Sequence, residues 1–237
     1  MEPFPFTLIS YNIHHGRGMD RHLDLRRIVH VIRDAGADVA CLQEVDCRVM
    51  RSRLVNQPAV LAKDLGMEFV YGPTLIWPGG QRYGNLLLSR LPIEAHRTHL
   101  MPGRGEQRGV IEARITTPAG TMTVFCTHWG LPEGDRGLHA AHALEAMAET
   151  PGPVLFAGDL NEPPDGPSHD ILRESGLVAL GPQEATCPAD DPDLAIDHIY
   201  GSEHFTARDA YAIPSLASDH RPVVAELELR AEPGIDH

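Results

Sequence analysis

Apolar and polar positions alternate along this chain with two different periods. Residues 7–13 form a β-rich apolar run that predicts a first strand. Leu25, Ile28, Val29 and Ile32 follow at i, i+3, i+4 and i+7. That spacing is one face of an amphipathic helix, with Arg26, Arg27, Arg33 and Asp34 turned outward and Gly36 as the stop. Residues 39–42 read as a short strand ending in Gln43-Glu44, and residues 59–65 as a second helix closed by Gly66. Strands are expected at 86–88, 110–115 and 122–126, the last two joined into a hairpin by the turn Pro118-Ala119-Gly120. An Ala-rich helix over 138–147, a buried strand over 154–157 and a short helix over 171–174 come next. Strands at 196–200 and 223–229 complete the set. In the last, Val223, Ala225, Leu227 and Leu229 share one face and Glu226 and Glu228 the other.

Mixed strands, a central hairpin and intervening helices predict an α/β protein with two layered sheets covered by helices. No linker, repeat or compositional break divides the chain, so residues 1–230 read as one catalytic domain and 231–237 as a flexible tail. Hydrophobic residues make up 42% of the chain, enough for a full core.

Charge narrows the partners. The net charge is −13, and Lys63 is the only lysine. No run of arginines forms a phosphate track, so the acidic balance disfavours nucleic acid as a partner without excluding a nuclease. Cys41, Cys47, Cys126 and Cys187 include no CxxC pair, which argues against structural zinc. No apolar stretch is long enough for a membrane span, and the start has no leader pattern, so a reduced cytoplasmic setting is expected. Protein partners cannot be read from the sequence.

The chemistry lies where polar residues interrupt strand ends. Tyr11-Asn12, Gln43-Glu44, Thr127-His128, Gly158-Asp159-Leu160-Asn161 and Ser218-Asp219-His220 each close or precede an apolar run, and Asp197 stands at the head of another. Buried carboxylates without partners are costly, so several at strand ends make sense if the ends converge on a cation. Asn12, Glu44 and Asp219 offer only oxygen, which suits Mg²⁺ or Mn²⁺. His128 and His220 can donate to phosphoryl oxygens, with Asp197 orienting His220. Asp159 can accept a proton from attacking water, and Asn161 can help to position that water.

In this order, the clusters resemble the endonuclease/exonuclease/phosphatase superfamily, whose members include pancreatic-type deoxyribonuclease, inositol polyphosphate 5-phosphatases and bacterial sphingomyelinases. Tyr83-Gly84-Asn85-Leu86 and Ile196-Asp197-His198-Ile199 add to the match, which spans nearly the whole chain. The resemblance implies a four-layer sandwich of two mixed, mostly antiparallel sheets flanked by helices, with the site at one edge. It implies Asn12 and Glu44 as metal ligands with Asp219 close by, an Asp197–His220 pair, Asp159 and Asn161 around the attacking water, and His128 on a phosphoryl oxygen. By the same likeness Asn85 reaches the phosphate region.

His14, His15 and Arg82 are further candidates for substrate contact, His198 reads as structural, and Arg108 either holds an acid of the site or pairs on the surface. Many small members carry Arg and, three residues later, Gln after the His128 strand. Here Arg136 is followed by His139, a position read as helix packing. The expected activity is metal-dependent hydrolysis of a small or lipid-derived phosphodiester or phosphomonoester. An endo- or exonuclease is the alternative, and an inactive scaffold the third reading.

Overall fold

The computed structural model describes residues 2–230, and the tail expected at 231–237 lies outside the described residues. In chain order the first half holds β1 (Phe4–Asn12), α1 (Leu25–Asp34), β2 (Val39–Cys47), α2 (Gln57–Leu65), β3 (Glu68–Trp77) and β4 (Gln81–Ser89). The second half holds β5 (Ile93–Leu100), β6 (Gly109–Thr117), β7 (Gly120–His128), α3 (Glu133–Ala148), β8 (Val154–Asp159) and α4 (Pro167–Glu174). It ends with β9 (Val178–Ala179), β10 (Asp197–Gly201), β11 (Phe205–Ala212) and β12 (Val223–Leu229).

One sheet has the order β11-β12-β1-β2-β4-β3, the other β5-β6-β7-β8-β10-β9. In each sheet a single parallel pair, β1 with β2 and β7 with β8, is joined through a helix, and the remaining pairs are antiparallel. Alternate side chains of β1 separate two apolar layers. Phe6 and Leu8 enter the layer between the sheets, while Ile9 and Tyr11 meet Ile28, Val29 and Ile32 of α1. Burial on both faces is why these strands read as continuous apolar runs. On the other sheet Val110, Phe125 and Phe156 pack against Ala140 and Ala143 of α3 and Leu172 of α4. The result is the four-layer sandwich that the resemblance implies.

Local signals set the ends of the helices. The Asp24 side chain accepts from Arg26 N at the start of α1, and Gly36 follows its end at φ +65°. Asn56 caps α2, which closes at Gly66 with φ +66°. Three helices begin earlier than the apolar pattern indicates, because their first turns are polar: α2 at Gln57, α3 at Glu133 and α4 at Pro167. No helix among the described residues is long and apolar enough to cross a membrane.

Candidate active site

Parallel strands β1, β2, β7 and β8 leave both sheets at the same edge, and antiparallel β10 and β12 enter there. Residues at the ends of the first four and the starts of the last two therefore meet. Gly158 makes the β7–β8 approach possible, since a Cβ there would lie 2.1 Å from the Thr127 carbonyl oxygen.

Asp159 is the centre of the meeting point. Asn12 Nδ2 donates to its Oδ2 at 3.0 Å. His128 Nε2 is 3.3 Å from the same oxygen, and His220 Nε2 is 3.8 Å from it. Asn161 N donates to Asp159 Oδ1 at 2.9 Å, an Asx-turn that holds Asn161 at φ +49°. Its side-chain Nδ2 donates to the Trp129 carbonyl at 2.9 Å, tying the loop to the end of β7.

Each histidine is fixed through its far nitrogen. His220 Nδ1 donates to Asp197 Oδ2 at 2.8 Å, and Thr186 Oγ1 donates to that oxygen at 2.6 Å. Burial opposes a charge on His220, but the adjacent Asp197 and Asp159 carboxylates and the Asp197 hydrogen bond hold its pKa well above 6.5. On His128 the polarity is reversed. Arg108 Nη1 lies 3.1 Å from His128 Nδ1. Burial, with the Arg108 charge added, pushes the His128 pKa well below 6.5. Burial also raises Asp159, to about 6, against the pull of His220. The arrangement can thus accept a proton at Asp159 and offer two N–H donors beside it.

Glu44 reaches the edge through a β-bulge. Leu42 pairs with Leu86 and Val45 with Gly84, so Gln43 and Glu44 together oppose Asn85. Glu44 takes φ +60°, a left-handed conformation that a glutamate adopts at a cost of order 1–3 kcal/mol. Its Oε1 receives Asn12 Nδ2 at 3.3 Å. His14 N donates to Asn12 Oδ1 at 3.1 Å, and His14 Nδ1 meets Asp219 Oδ2 at 3.2 Å. Burial raises the pKa of Glu44, with the charges of Asp219 and Asp159 acting in the same direction. Ligand atoms of His14, His15 and Glu44 lie within 4.8 Å of one another, as do those of Asp159, Asp197 and His220. The second set is already engaged in its own hydrogen bonds and buried. Asp219 is engaged as well, Oδ2 with His14 and Oδ1 with Ser218 Oγ at 3.2 Å, but Asp219 and Glu44 are only half-buried.

The fold therefore brings together Asn12, Glu44, His128, Asp159, Asn161, Asp197, Asp219 and His220, with His14 joined through Asp219. Asn85 is buried against them, its Nδ2 donating to the Gly109 carbonyl at 2.9 Å. His15 is buried with its Nδ1 unpartnered among the described residues, and burial lowers its pKa to about 4. Arg82 stands apart, exposed on β4 opposite Ile76. His198 points away from Asp197, its Nε2 donating to the Glu162 carbonyl at 3.0 Å.

Residues to which the sequence reading gave no role at the site also support it. Ser218 Oγ donates to the Asn12 carbonyl at 2.8 Å, and Thr186 braces Asp197. His139, the position read as helix packing, is buried on α3 with its Nδ1 accepting from Gly130 N at 3.1 Å, and Arg136 makes an ion pair. Its Nε donates at 2.9 Å to Glu162, which is buried one residue after Asn161.

A family model described as the endonuclease/exonuclease/phosphatase family matches residues 9–220. Escherichia coli YbhP, an uncharacterized protein, is 32% identical over 96% of this chain and 98% of its own length. The endonuclease/exonuclease/phosphatase of Bacteroides vulgatus superposes with a TM-score of 0.79 at 20% identity, covering 96% of this chain and 100% of that one. The mannosyl-6-phosphatase of Bacteroides thetaiotaomicron superposes with a TM-score of 0.74 at 19% identity, over 94% and 99% respectively.

Proposed function

Because the chain belongs to the endonuclease/exonuclease/phosphatase family, we propose that it hydrolyses a small or lipid-derived phosphoester in a reaction that needs Mg²⁺ or Mn²⁺. The observation that carries this reading is the buried Asp159 carboxylate, held by Asn12 at 3.0 Å and faced by two imidazoles of opposite character. The donor chemistry fits a hard cation, since Glu44 is a carboxylate that burial and two acidic neighbours disfavour as an anion until a positive charge joins it. Asn12, Glu44 and Asp219 would hold that cation, which when bound neutralises phosphoryl charge and acidifies water.

The side chains divide the remaining work. With substrate bound, Nε2 of His220 and of His128, which face Asp159 without it, would each donate to a phosphoryl oxygen, the first as a charged donor and the second as a neutral one. Asp159 takes the proton of the attacking water, and Asn161 positions that water. The new P–O bond forms on the Asp159 side as the bond to the departing oxygen breaks opposite it. Asn85 lines the phosphate region, His14 and His15 contact the substrate beside Glu44, and Arg82 meets its distal part.

The test is a parallel screen with and without EDTA, Mg²⁺ and Mn²⁺. Substrates are bis-p-nitrophenyl phosphate, p-nitrophenyl phosphate, sugar and inositol phosphates, phospholipids, plasmid DNA and RNA. Metal-dependent turnover of a small or lipid phosphoester above that of DNA supports the reading, whereas turnover confined to DNA or RNA makes the protein a nuclease.

A further inference from the structure

The surface around the site does not share the acidity of the chain. Segments 48–54, 76–82 and 100–108 together hold six arginines and one acidic residue, Glu106, in a protein of net charge −13. The fold gathers these segments side by side. Met50 N donates to Gln81 Oε1 at 3.2 Å, joining the loop after β2 to the β3–β4 hairpin, and the Arg51 guanidinium stands 5.1 Å from the Tyr83 ring centre. Gly109 abuts both Thr74 of β3 and Leu100 of β5, so that a Cβ there would lie 3.1 and 3.7 Å from them. Arg48, Arg53, Arg82 and Arg104 are exposed, and none forms an ion pair among the described residues.

Large apolar side chains are exposed in the same sector. Met50 is 69% exposed, Leu54 54%, Ile76 70% and Leu100 56%, with Trp77 at 39%. Ile76 and Trp77 end β3 at the tip of a hairpin whose turn is Pro78-Gly79-Gly80. Clustered exposed apolar residues mark an interaction surface. Aliphatic tips, a tryptophan at the boundary and unpaired arginines are the combination that suits a bilayer. The aliphatic groups leave water for the acyl boundary, the indole sits at headgroup level, and the guanidinium groups meet lipid phosphates. A nucleic-acid strand would use the arginines, but Trp77 is the one large exposed aromatic side chain of this sector, and the aliphatic side chains around it give successive bases nothing on which to stack.

We propose that this sector docks the protein on an anionic phospholipid bilayer, with the catalytic edge turned toward the lipid phosphates. The inference deepens, and rests on, the reading of the Asp159 cluster as a phosphoester-hydrolysing site.

Trp129 is fully buried, which makes Trp77 the tryptophan whose emission reports docking. The native protein is titrated with phosphatidylcholine vesicles, with and without phosphatidylglycerol, and bis-p-nitrophenyl phosphate turnover is followed separately. The expected result is a blue shift and co-sedimentation on the anionic vesicles, both weakened by salt. Arg53→Glu should weaken binding by roughly fivefold or more, and Ile76→Ser should weaken it as well, while both keep the wild-type turnover of the soluble ester. Vesicle binding by a protein inactive on every phosphoester would support the docking surface and defeat the catalytic reading. A protein that turns over the soluble ester yet ignores anionic vesicles even at low salt would overturn the docking surface. So would a Trp77 response to single-stranded DNA with none to vesicles. Should a variant lose its fold by circular dichroism, the native titration decides alone.

Discussion

Arg108 donates through Nη1 to Nδ1 of His128 across 3.1 Å, inside a site where Arg108 is itself buried. A guanidinium has no lone pair to offer, so the imidazole nitrogen must accept. His128 is thereby fixed as the neutral tautomer with its proton on Nε2, aimed at Asp159. Its partner His220 is held in the opposite state by Asp197. The two rings divide donor character and charge between them.

That contact predicts a spectroscopic signature. Proton–nitrogen correlation spectra should show His128 neutral and Nε2-protonated well below pH 6.5. Arg108→Leu should raise the His128 pKa and reduce kcat more than it changes KM, and Arg108→Lys, which restores a cation, should recover part of both. A His128 that titrates near 6.5 in the native protein, or sits as the Nδ1–H tautomer, would contradict the arrangement.

The Asp197–His220 pair makes a separate prediction. Asp197→Asn removes a charge and leaves shape nearly unchanged, so His220 should lose its proton at lower pH. The alkaline limb of the pH–rate profile should move to lower pH, and the rate near neutrality should fall by roughly 10²–10⁴. An unmoved limb with a wild-type rate would reduce Asp197 to a structural group.

Most of this site was legible as sequence because its residues end or begin buried strands. An Asn, Glu, Asp or His breaking an apolar run is visible without coordinates. Edge strands were not. β5 is exposed along nearly its whole length, and β3 passes through Gly72-Pro73, so neither shows a buried periodicity. β11 carries a register shift between Ala207 and Asp209 that breaks its alternation. The role of Arg108 escaped for another reason, although a signal existed. Counting back from the turn in the β6–β7 hairpin pairs Val110 with Thr127, which sets Gly109 opposite His128 and Arg108 one position beyond it. The arginine sector stayed hidden because three distant segments supply it.

Buried histidines predict how stability depends on pH. His198 has its ring centre 4.5 Å from that of His169, and burial lowers its pKa from 6.5 to about 4. Between those values the unfolded chain binds a proton that the folded chain refuses. The contribution is complete above pH 6.5 and falls as pH drops toward 4, by about 2 kcal/mol at pH 5. His15, lowered to about 4, acts in the same direction. Urea unfolding at about pH 7.5 and 5 should show a smaller loss for His198→Gln than for the wild type. Equal losses would mean that His198 does not contribute to the slope.

The central claim is that Asp159 is the proton acceptor for water attacking a phosphoester. Asp159→Asn keeps the side-chain shape and can keep the Asx-turn, so folding is a small concern. Its turnover of bis-p-nitrophenyl phosphate, measured beside the wild type in Mg²⁺ and Mn²⁺ across about pH 6–9, tests that claim most directly. The expected result is a metal-dependent wild-type rate and a loss of roughly 10²–10⁴ in the variant. Near-wild-type rates in the variant across that range would contradict it.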